Sequence, residues 1–473
     1  MYKNLTRQEG GGVMSKYNFD VKRSRIKEAF KNKSARVHFV GVGGVGMYSL
    51  FKLTEMRGVS VSGSDREMSP LTERLLSQGK RVSIGHRREN AVSASLIVYT
   101  LAVSNDNPEL IYAKENSIPT VSRAEYLGAL MEEYKERIGV SGTHGKSTTT
   151  AMIDAIFHAA EKEPTTVLGA TVPGSEEPLR VGSADYFIYE ACEYKDSFLK
   201  FSPTASVFTN LELDHVDYFK DIDSMSDSFL RAMDSSPLSV VNYDDENLRS
   251  LIGRTKSRCV SYGTGEGADY HVCITGMEGG FYRFKIRHEG YDKVEIFLKV
   301  PGRFNVMNAV AAAVLCLEYG ISKECIESSL SSFCGVGRRL EQVGQYLGAQ
   351  IYYDYAHHPT EIECSIRAVR ELHPGRLAVI FKPHTYSRTA AFIDNFASSL
   401  SLADRVFVCE VSGVREDNTL GISAELLVSK IGNRAKYISD EEGVSNILGD
   451  GFNSIIIMGA ANLDAVKSSF LGK

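Results

Sequence analysis

The stretch whose residue types and spacing most directly specify chemistry is Gly142-Thr143-His144-Gly145-Lys146-Ser147-Thr148-Thr149. Glycines let backbone N–H groups approach phosphate oxygens, Lys146 adds a point charge, and Ser147 offers a hydroxyl to magnesium. Val140 stands where the longer G-x-x-x-x-G-K-S form has its first glycine, so the pattern is the shortened G-x-x-G-K-S. The bland alternative is a glycine turn with no ligand. A lysine and a run of hydroxyl residues opening the same helix weigh against it, and the expected occupant is a nucleoside triphosphate.

Two acidic clusters follow apolar runs: Glu190-Ala191-Cys192-Glu193, and Thr209 through Asp214, His215 and Asp217. A carboxylate or imidazole at the C-terminal end of a strand beside a phosphate loop is placed to bind a cation. Glu190 and His215 are the magnesium candidates, with Glu193, Asp214 and Asp217 orienting them or facing solvent. Upstream, residues 41–46 read G-x-G-x-x-G and Asp65 follows Gly46 by nineteen positions. That pattern suits a dinucleotide or a UDP diphosphate equally, and the triphosphate loop downstream favours the second. Asp65 either touches a ribose or uracil or caps the helix starting near Ser69-Pro70.

Three stretches of alternating strand and helix must position these residues. The first opens with Arg36 to Val40, the glycine loop and a helix through Met56, then a strand at Val59 to Val61. The second runs from the Ile138–Val140 strand through the phosphate loop into a helix from Lys146 to about Ala160, with strands at 186–188, 205–209 and 239–241. Residues 269–300 alternate like antiparallel hairpins and predict a side sheet. The third has strands at 350–353, 377–381, 405–409 and 454–458. The fold class is therefore α/β in three domains: a Rossmann-like N-terminal domain at 35–135, a central P-loop ATPase-like domain at 136–335 and a Rossmann-like C-terminal domain at 336–473. A flexible leader is expected at 1–34, with hinges near 134–137 and 335–337.

Composition narrows the function classes. At 473 residues, with 43% hydrophobic and 24% charged side chains, the chain suits a multidomain globular enzyme. A formal charge of −5 gives no basic surface for a nucleic-acid backbone. Eight cysteines without C-x-x-C pairing fit reduced thiols in a cytoplasmic protein, and no apolar run is long enough for a membrane span.

Together these motifs resemble the Mur ligase family across roughly residues 36–470. The resemblance rests on the Gly41–Gly46 loop with Met47, Ser62-Gly63-Ser64-Asp65, Asn107-Pro108-Glu109, Ser122-Arg123-Ala124-Glu125, the phosphate loop and Asp214-His215. Further markers are Pro301-Gly302-Arg303, Asn305 with Asn308, Arg338-Arg339, the run Asp354 to Glu361, and Pro383-His384 with Arg388. The His357-His358 pair before Pro359-Thr360-Glu361 looks like the branch that adds L-alanine to UDP-N-acetylmuramate. What the resemblance implies is a UDP-sugar domain, an ATPase domain and a domain that closes over both, in a monomer or homodimer making peptidoglycan precursors.

The family likeness also implies roles. Gly43, Gly44, Val45, Gly46, Ser64 and Asp65 would hold UDP. Gly142 to Thr148 would hold ATP phosphates, with Asn305 at adenine and Arg339 and Asp354 on the nucleotide. Ser147, Glu190 and His215 would gather Mg2+. Tyr355, His357 and Arg388 would lie where acyl group, phosphate and amine meet, with Lys146, His215, His357 and Arg388 as the catalytic set and His357 a candidate base for the amine proton. Four positions depart from the family pattern: Phe304, Lys195, Thr385 and Asn462. Competing readings are a related ligase for another amino acid or peptide, a non-catalytic nucleotide-binding paralogue, and last a dehydrogenase.

Overall fold

The computed structural model describes residues 10–32, 34–171, 177–413, 416–439, 443–449 and 451–472, and it is built on three sheets. The first is fully parallel, in the spatial order Val82–Ile84, Ser60–Asp65, Arg36–Val40, Leu96–Tyr99, Thr120–Ser122. Its order reverses beside Arg36–Val40, so the crevice at the C-terminal end of that strand is the topological switch point where α/β folds bind ligands. The glycine loop occupies that end and leads into helix Val45–Met56.

The central sheet has ten strands. Glu136–Ser141, which feeds the phosphate loop, lies between Tyr186–Glu190 and Ala205–Phe208, both parallel to it. All three neighbouring strands therefore release their loops at the same edge, which brings residues 142–147, 190–193 and 209–217 together. The hairpins Tyr270–Glu278, Phe281–His288 and Tyr291–Leu298 form as the alternation implies. They are not a separate side sheet: Tyr262 and Gly263 pair in parallel with Tyr270 and His271, making the hairpins an extension of the central sheet. Helix Arg303–Glu318 buries Val306, Val310, Val314 and a run of alanines in the core of this unit.

The third sheet has six strands, with Ser454–Met458 between Ala349–Asp354 and Leu377–Phe381, and a single antiparallel edge strand, Glu341–Tyr346. Among the described residues no helix is long and apolar enough to cross a membrane.

The leader departs from expectation. Residues Gly10–Lys31 form a helix rather than a flexible tail; residues 1–9 lie outside the described residues. Ile26 and Ala29 are buried, Phe30 packs edge-on against Tyr126 at 5.5 Å, and Lys22 pairs with Glu125 at 2.9 Å. The i, i+3, i+4 spacing of Ile26, Ala29 and Phe30 supplies an apolar stripe narrow enough to be hidden in a mostly polar segment. Ile26→Ala is expected to destabilise the N-terminal domain by about 2–4 kcal/mol, read by denaturant unfolding; an effect under about 0.5 kcal/mol would mean the helix adds no core.

Candidate functional site

The phosphate loop is shaped by close backbone approaches. Gly142 has φ 143° and a Cβ there would lie 2.0 Å from Thr209 Oγ1; Gly145 has φ 81° and would meet Asn308 Oδ1 at 2.4 Å. Both positions exclude side chains on steric and conformational grounds. Helix Lys146–Ala159 begins immediately after, so its N-terminal N–H groups and dipole face the loop.

Lys146 Nζ donates to Glu193 Oε2 at 3.0 Å and to Thr143 O at 3.1 Å, and also bonds Gly142 O. Burial opposes the lysine charge, but Glu193 outweighs it and raises the pKa; the same pair holds the Glu193 carboxyl below its usual range despite burial. His215, in a left-handed conformation, brings Nε2 to 3.4 Å from Glu193 Oε1. The carboxylate at this centre is thus Glu193. Glu190, the last residue of its strand, accepts from the Gly169 N–H instead. Of the expected magnesium set, His215 is grouped with Glu193 and Cys192, while Glu190 still acts on the Lys146 charge from the end of its strand.

The C-terminal domain meets the loop edge through charged contacts. Arg388 binds Asp214 through two hydrogen bonds, Nε to Oδ1 at 2.9 Å and Nη2 to Oδ2 at 3.1 Å, with both residues buried. Burial works against the Asp214 carboxylate, yet Arg388 holds its pKa far below the ordinary range. Arg339 Nη2 lies 3.4 Å from Ser147 Oγ and its guanidinium stacks 4.9 Å from the Tyr355 ring centre. Thr360 Oγ1 donates to Glu212 Oε1 at 2.6 Å.

His144 joins both domains, with Nε2 2.9 Å from Glu212 Oε2 and Nδ1 3.1 Å from Glu361 Oε1. Burial alone would lower its pKa, but Glu361 and Glu212 raise it to about 9. A folded-state pKa above the unfolded 6.5 contributes stability that is fully present below about pH 6.5 and is lost as pH rises through about 9. We expect wild type to lose up to about 3 kcal/mol between pH 6.5 and 9.5, and His144→Gln to lose much less. Urea unfolding at the two pH values checks this; equal losses in both proteins would remove His144 as the source.

His357 differs. Burial dominates, with the Arg388 charge adding to it, and its pKa is pushed down to about 3 against the pull of Glu361. Its Nδ1–H donates to the Tyr355 carbonyl at 2.9 Å, leaving Nε2 as an acceptor. A group this weakly basic is poorly matched to take a proton from an amine near neutral pH. Held neutral, the ring offers Nε2 as its acceptor nitrogen, which weighs against the expected role of general base.

A cavity of about 450 Å³ opens beside the loop, lined among others by Thr148, Asn305, Asn308, Arg339 and Asp354. Asn305 Nδ2 donates to Pro301 O at 2.7 Å and its Oδ1 accepts from Asn308 at 3.1 Å, which fixes the amide at the cavity wall. Phe304 presents a ring to the same space. Asp354 is buried, accepts from Ser365 Oγ, and burial raises its pKa. Sequence reading gave Glu193 only an orienting or solvent-facing place, and it missed Glu212, Glu361 and Thr360 as site residues, with Asn210, Asn242 and Tyr262 in the cavity wall. Glu361 alone had a local signal, as the N3 partner of the His358 capping box.

In the first sheet's crevice, the Gly43 N–H donates to Asp65 Oδ2 at 2.7 Å, and Ser69 rather than Asp65 caps the following helix. Gly44 is the N-cap of the helix that Val45 and Gly46 open. Ser64 Oγ donates to the buried Glu109 at 2.7 Å, which also bonds His38 Nε2 at 3.0 Å and Asn90 at 2.8 Å. Glycine loop and Ser64-Asp65 turn are therefore brought together, on a different domain from the phosphate loop.

The chain matches the family models described as Mur ligase family, catalytic domain (residues 36–135), Mur ligase middle domain (140–316) and Mur ligase, glutamate ligase domain (338–467). It is 41% identical over 414 residues to the UDP-N-acetylmuramate–L-alanine ligase of Caldicellulosiruptor bescii, covering 86% of this chain and 91% of that one. With the enzyme of the same name from Acetivibrio thermocellus it shares 38% over 451 residues, 93% and 96% of the two chains. The crystal structure of UDP-N-acetylmuramate-alanine ligase MurC from Thermotoga maritima superposes with a TM-score of 0.80 at 27% identity, over 92% of this chain and 98% of that one. A murein peptide ligase from Psychrobacter arcticus, at 21% identity and a TM-score of 0.73 over 93% and 98% of the chains, shares the fold. With three domain models in order along the chain and relatives near 40% identity over most of their length, the chain belongs to the Mur ligase family.

Proposed function

We propose that this chain is an ATP-dependent ligase that joins L-alanine to the carboxylate of UDP-N-acetylmuramate. The observation that carries the reading is likeness along nearly the whole chain, at up to 41% identity, to ligases named for that reaction. Residue chemistry agrees: a phosphate loop with Lys146, a glycine loop on a separate domain, and Arg388 and His357 on a third face. In the proposed reaction an acceptor carboxylate oxygen attacks the ATP γ-phosphorus and ADP leaves. The amine nitrogen of alanine then attacks the acyl phosphate carbon, phosphate leaves, and the amine proton goes to solvent.

Positioning and charge neutralisation suffice for such phosphoryl transfer, and no enzyme nucleophile is needed. Lys146, released from Glu193, would neutralise the transferring phosphoryl group, and Arg388 would hold the C-terminal domain against Asp214 while facing the reacting centre. His357 Nε2 would accept a hydrogen bond from the neutral amine and aim it. Ser147 in the first turn of its helix, Glu190 at the end of its strand and His215 in the loop after Ala205–Phe208 offer a hydroxyl, a carboxylate and an imidazole at one sheet edge, a set that would hold Mg2+ with water completing its shell. Glu193, in contact with both Lys146 and His215, is an additional anion at that position. Bound Mg2+ would supply neutralisation of the phosphate charge. The glycine loop with Ser64 and Asp65 would hold the UDP diphosphate and ribose.

Phosphate release from ATP, with Mg2+ and UDP-N-acetylmuramate, should be fastest with L-alanine and slower with glycine or L-serine. Discrimination by a methyl-sized pocket is expected at roughly 10- to 200-fold. Release that requires a different amine or peptide would keep the ligase and replace the substrate; none with any amine would leave a nucleotide-binding paralogue.

A further inference from the structure

A second cluster of ligand-type side chains lies at the junction of the central and C-terminal domains, apart from the Ser147, Glu190 and His215 set. His144 comes from the phosphate loop, Glu212 from the loop after strand Ala205–Phe208, and His358 from the N-cap of helix Pro359–Leu372. One ligand atom from each lies within 4.8 Å of the others. His144 Nε2 is 2.9 Å and His358 Nδ1 is 3.8 Å from the same oxygen, Glu212 Oε2, and the two imidazole rings are 4.8 Å apart. From these positions we propose that His144, Glu212 and His358 form a binding site for a zinc-class divalent cation that ties the central domain to the C-terminal domain.

Three observations converge on it. The first is the donor set: two imidazoles and a carboxylate suit Zn2+ far better than Mg2+, which takes oxygen ligands in octahedral array, and they leave a fourth tetrahedral position for water. The second is the outer shell of His144. Its other ring nitrogen, Nδ1, already faces the Glu361 carboxylate at 3.1 Å, the arrangement that orients a metal-binding histidine and increases its basicity. The third is His358, which is 2% exposed. Its Nδ1 accepts only a long 3.4 Å hydrogen bond from the Thr360 N–H, and its Nε2 is buried with no hydrogen-bond partner among the described residues. Nδ1, the ring nitrogen 3.8 Å from Glu212 Oε2, is therefore held by one long hydrogen bond that a cation can replace.

On binding, the cation takes the place of the proton now shared between His144 Nε2 and Glu212, and that proton is released to solvent. Because His144 and Glu212 also line the nucleotide cavity while His358 belongs to the opposite domain, an occupied site holds the two domains in their closed relation. Zinc is thereby expected to bind the nucleotide-free enzyme and to disfavour nucleotide entry. The inference is independent of which amino acid the enzyme adds.

The test uses full-length, chelator-treated protein in excess Mg2+, titrated with ZnCl2 calorimetrically and with Co2+ by visible absorption. Wild type should bind one Zn2+, and the Co2+ complex should show tetrahedral bands without thiolate charge transfer. His358→Asn, which keeps an N-cap side chain, and Glu212→Gln should each weaken binding at least about tenfold, and Glu361→Gln about tenfold through its effect on His144. Cys192→Ser should change nothing. Melting temperatures without metal establish that the variants are folded. A thiolate band, or affinity lost in Cys192→Ser and retained in both folded His358 and Glu212 variants, would assign the cation to Cys192, Glu193 and His215 and overturn the proposal, as would absence of Zn2+ binding.

Discussion

Lys146→Met is expected to lower ATP-dependent phosphate release by about 10³-fold or more, the scale of removing a charge that stabilises a transferring phosphoryl group. The substitution has a second effect that must be separated from the first. Lys146 is the near partner of Glu193, which is 1% exposed, and the His215 imidazole lies 3.4 Å from the same carboxylate. Leaving a buried carboxylate without its main cation costs about 3–5 kcal/mol, so the single variant loses stability as well as rate. The double variant Lys146→Met/Glu193→Gln removes both charges. It should melt close to wild type and remain inactive, because its stability is restored while the phosphate charge is still unanswered. Recovery of turnover to within about tenfold of wild type in the double variant would exclude Lys146 from phosphoryl transfer and leave it a structural partner of Glu193.

That pair also shows where sequence reading reaches its limit. The phosphate loop was legible because glycine, lysine and hydroxyl residues act through backbone and charge within six positions, and the strand before it marks the sheet edge. The parallel order of the central strands then fixes which loops are neighbours. Which carboxylate turns inward was not legible. Glu190 and Glu193 both follow the strand Tyr186–Glu190, and the choice depends on how the chain turns after the last paired residue, where Val140 stands opposite Glu190. Lys195 and Asp196 adopt left-handed backbone angles in this segment, a feature that strand periodicity does not predict.

Contacts across domains were further out of reach. His144, Glu212 and Glu361 are separated by up to about two hundred residues; His144 and Glu212 meet because they follow neighbouring strands of the central sheet, and Glu361 joins them from helix Pro359–Leu372 of the C-terminal domain rather than through any local pattern. The leader helix is the opposite case. Ile26, Ala29 and Phe30 carried a helical spacing in plain view, but their stripe is short and the surrounding residues are charged. The composition of the segment masked its periodicity. The weak basicity of His357 follows from burial and the nearby Arg388 together, neither of which its sequence neighbours reveal.

The remaining prediction concerns the bond between domains. Asp214 and Arg388 are 174 residues apart in sequence yet form a two-point, buried pair. Arg388→Ala is expected to cost about 3–5 kcal/mol, because the Asp214 carboxylate stays buried without its partner, and to lower ligation by about 10²-fold through loss of a positioned cation. Asp214→Asn/Arg388→Ala should recover much of the stability and little of the rate. The coupling energy from the double-mutant cycle is expected to exceed about 2 kcal/mol. The pair also has its own pH signature. An acid whose folded pKa is depressed contributes stability above its unfolded value, near 3.8, and loses it only as pH falls through the lower folded value. The stability difference between wild type and Arg388→Ala should therefore be flat from pH 6 to 9, the range in which the His144 contribution fades. A difference that shrinks across that range would mean that Arg388 acts through His144 and its two carboxylates, and that Asp214 is not its principal partner.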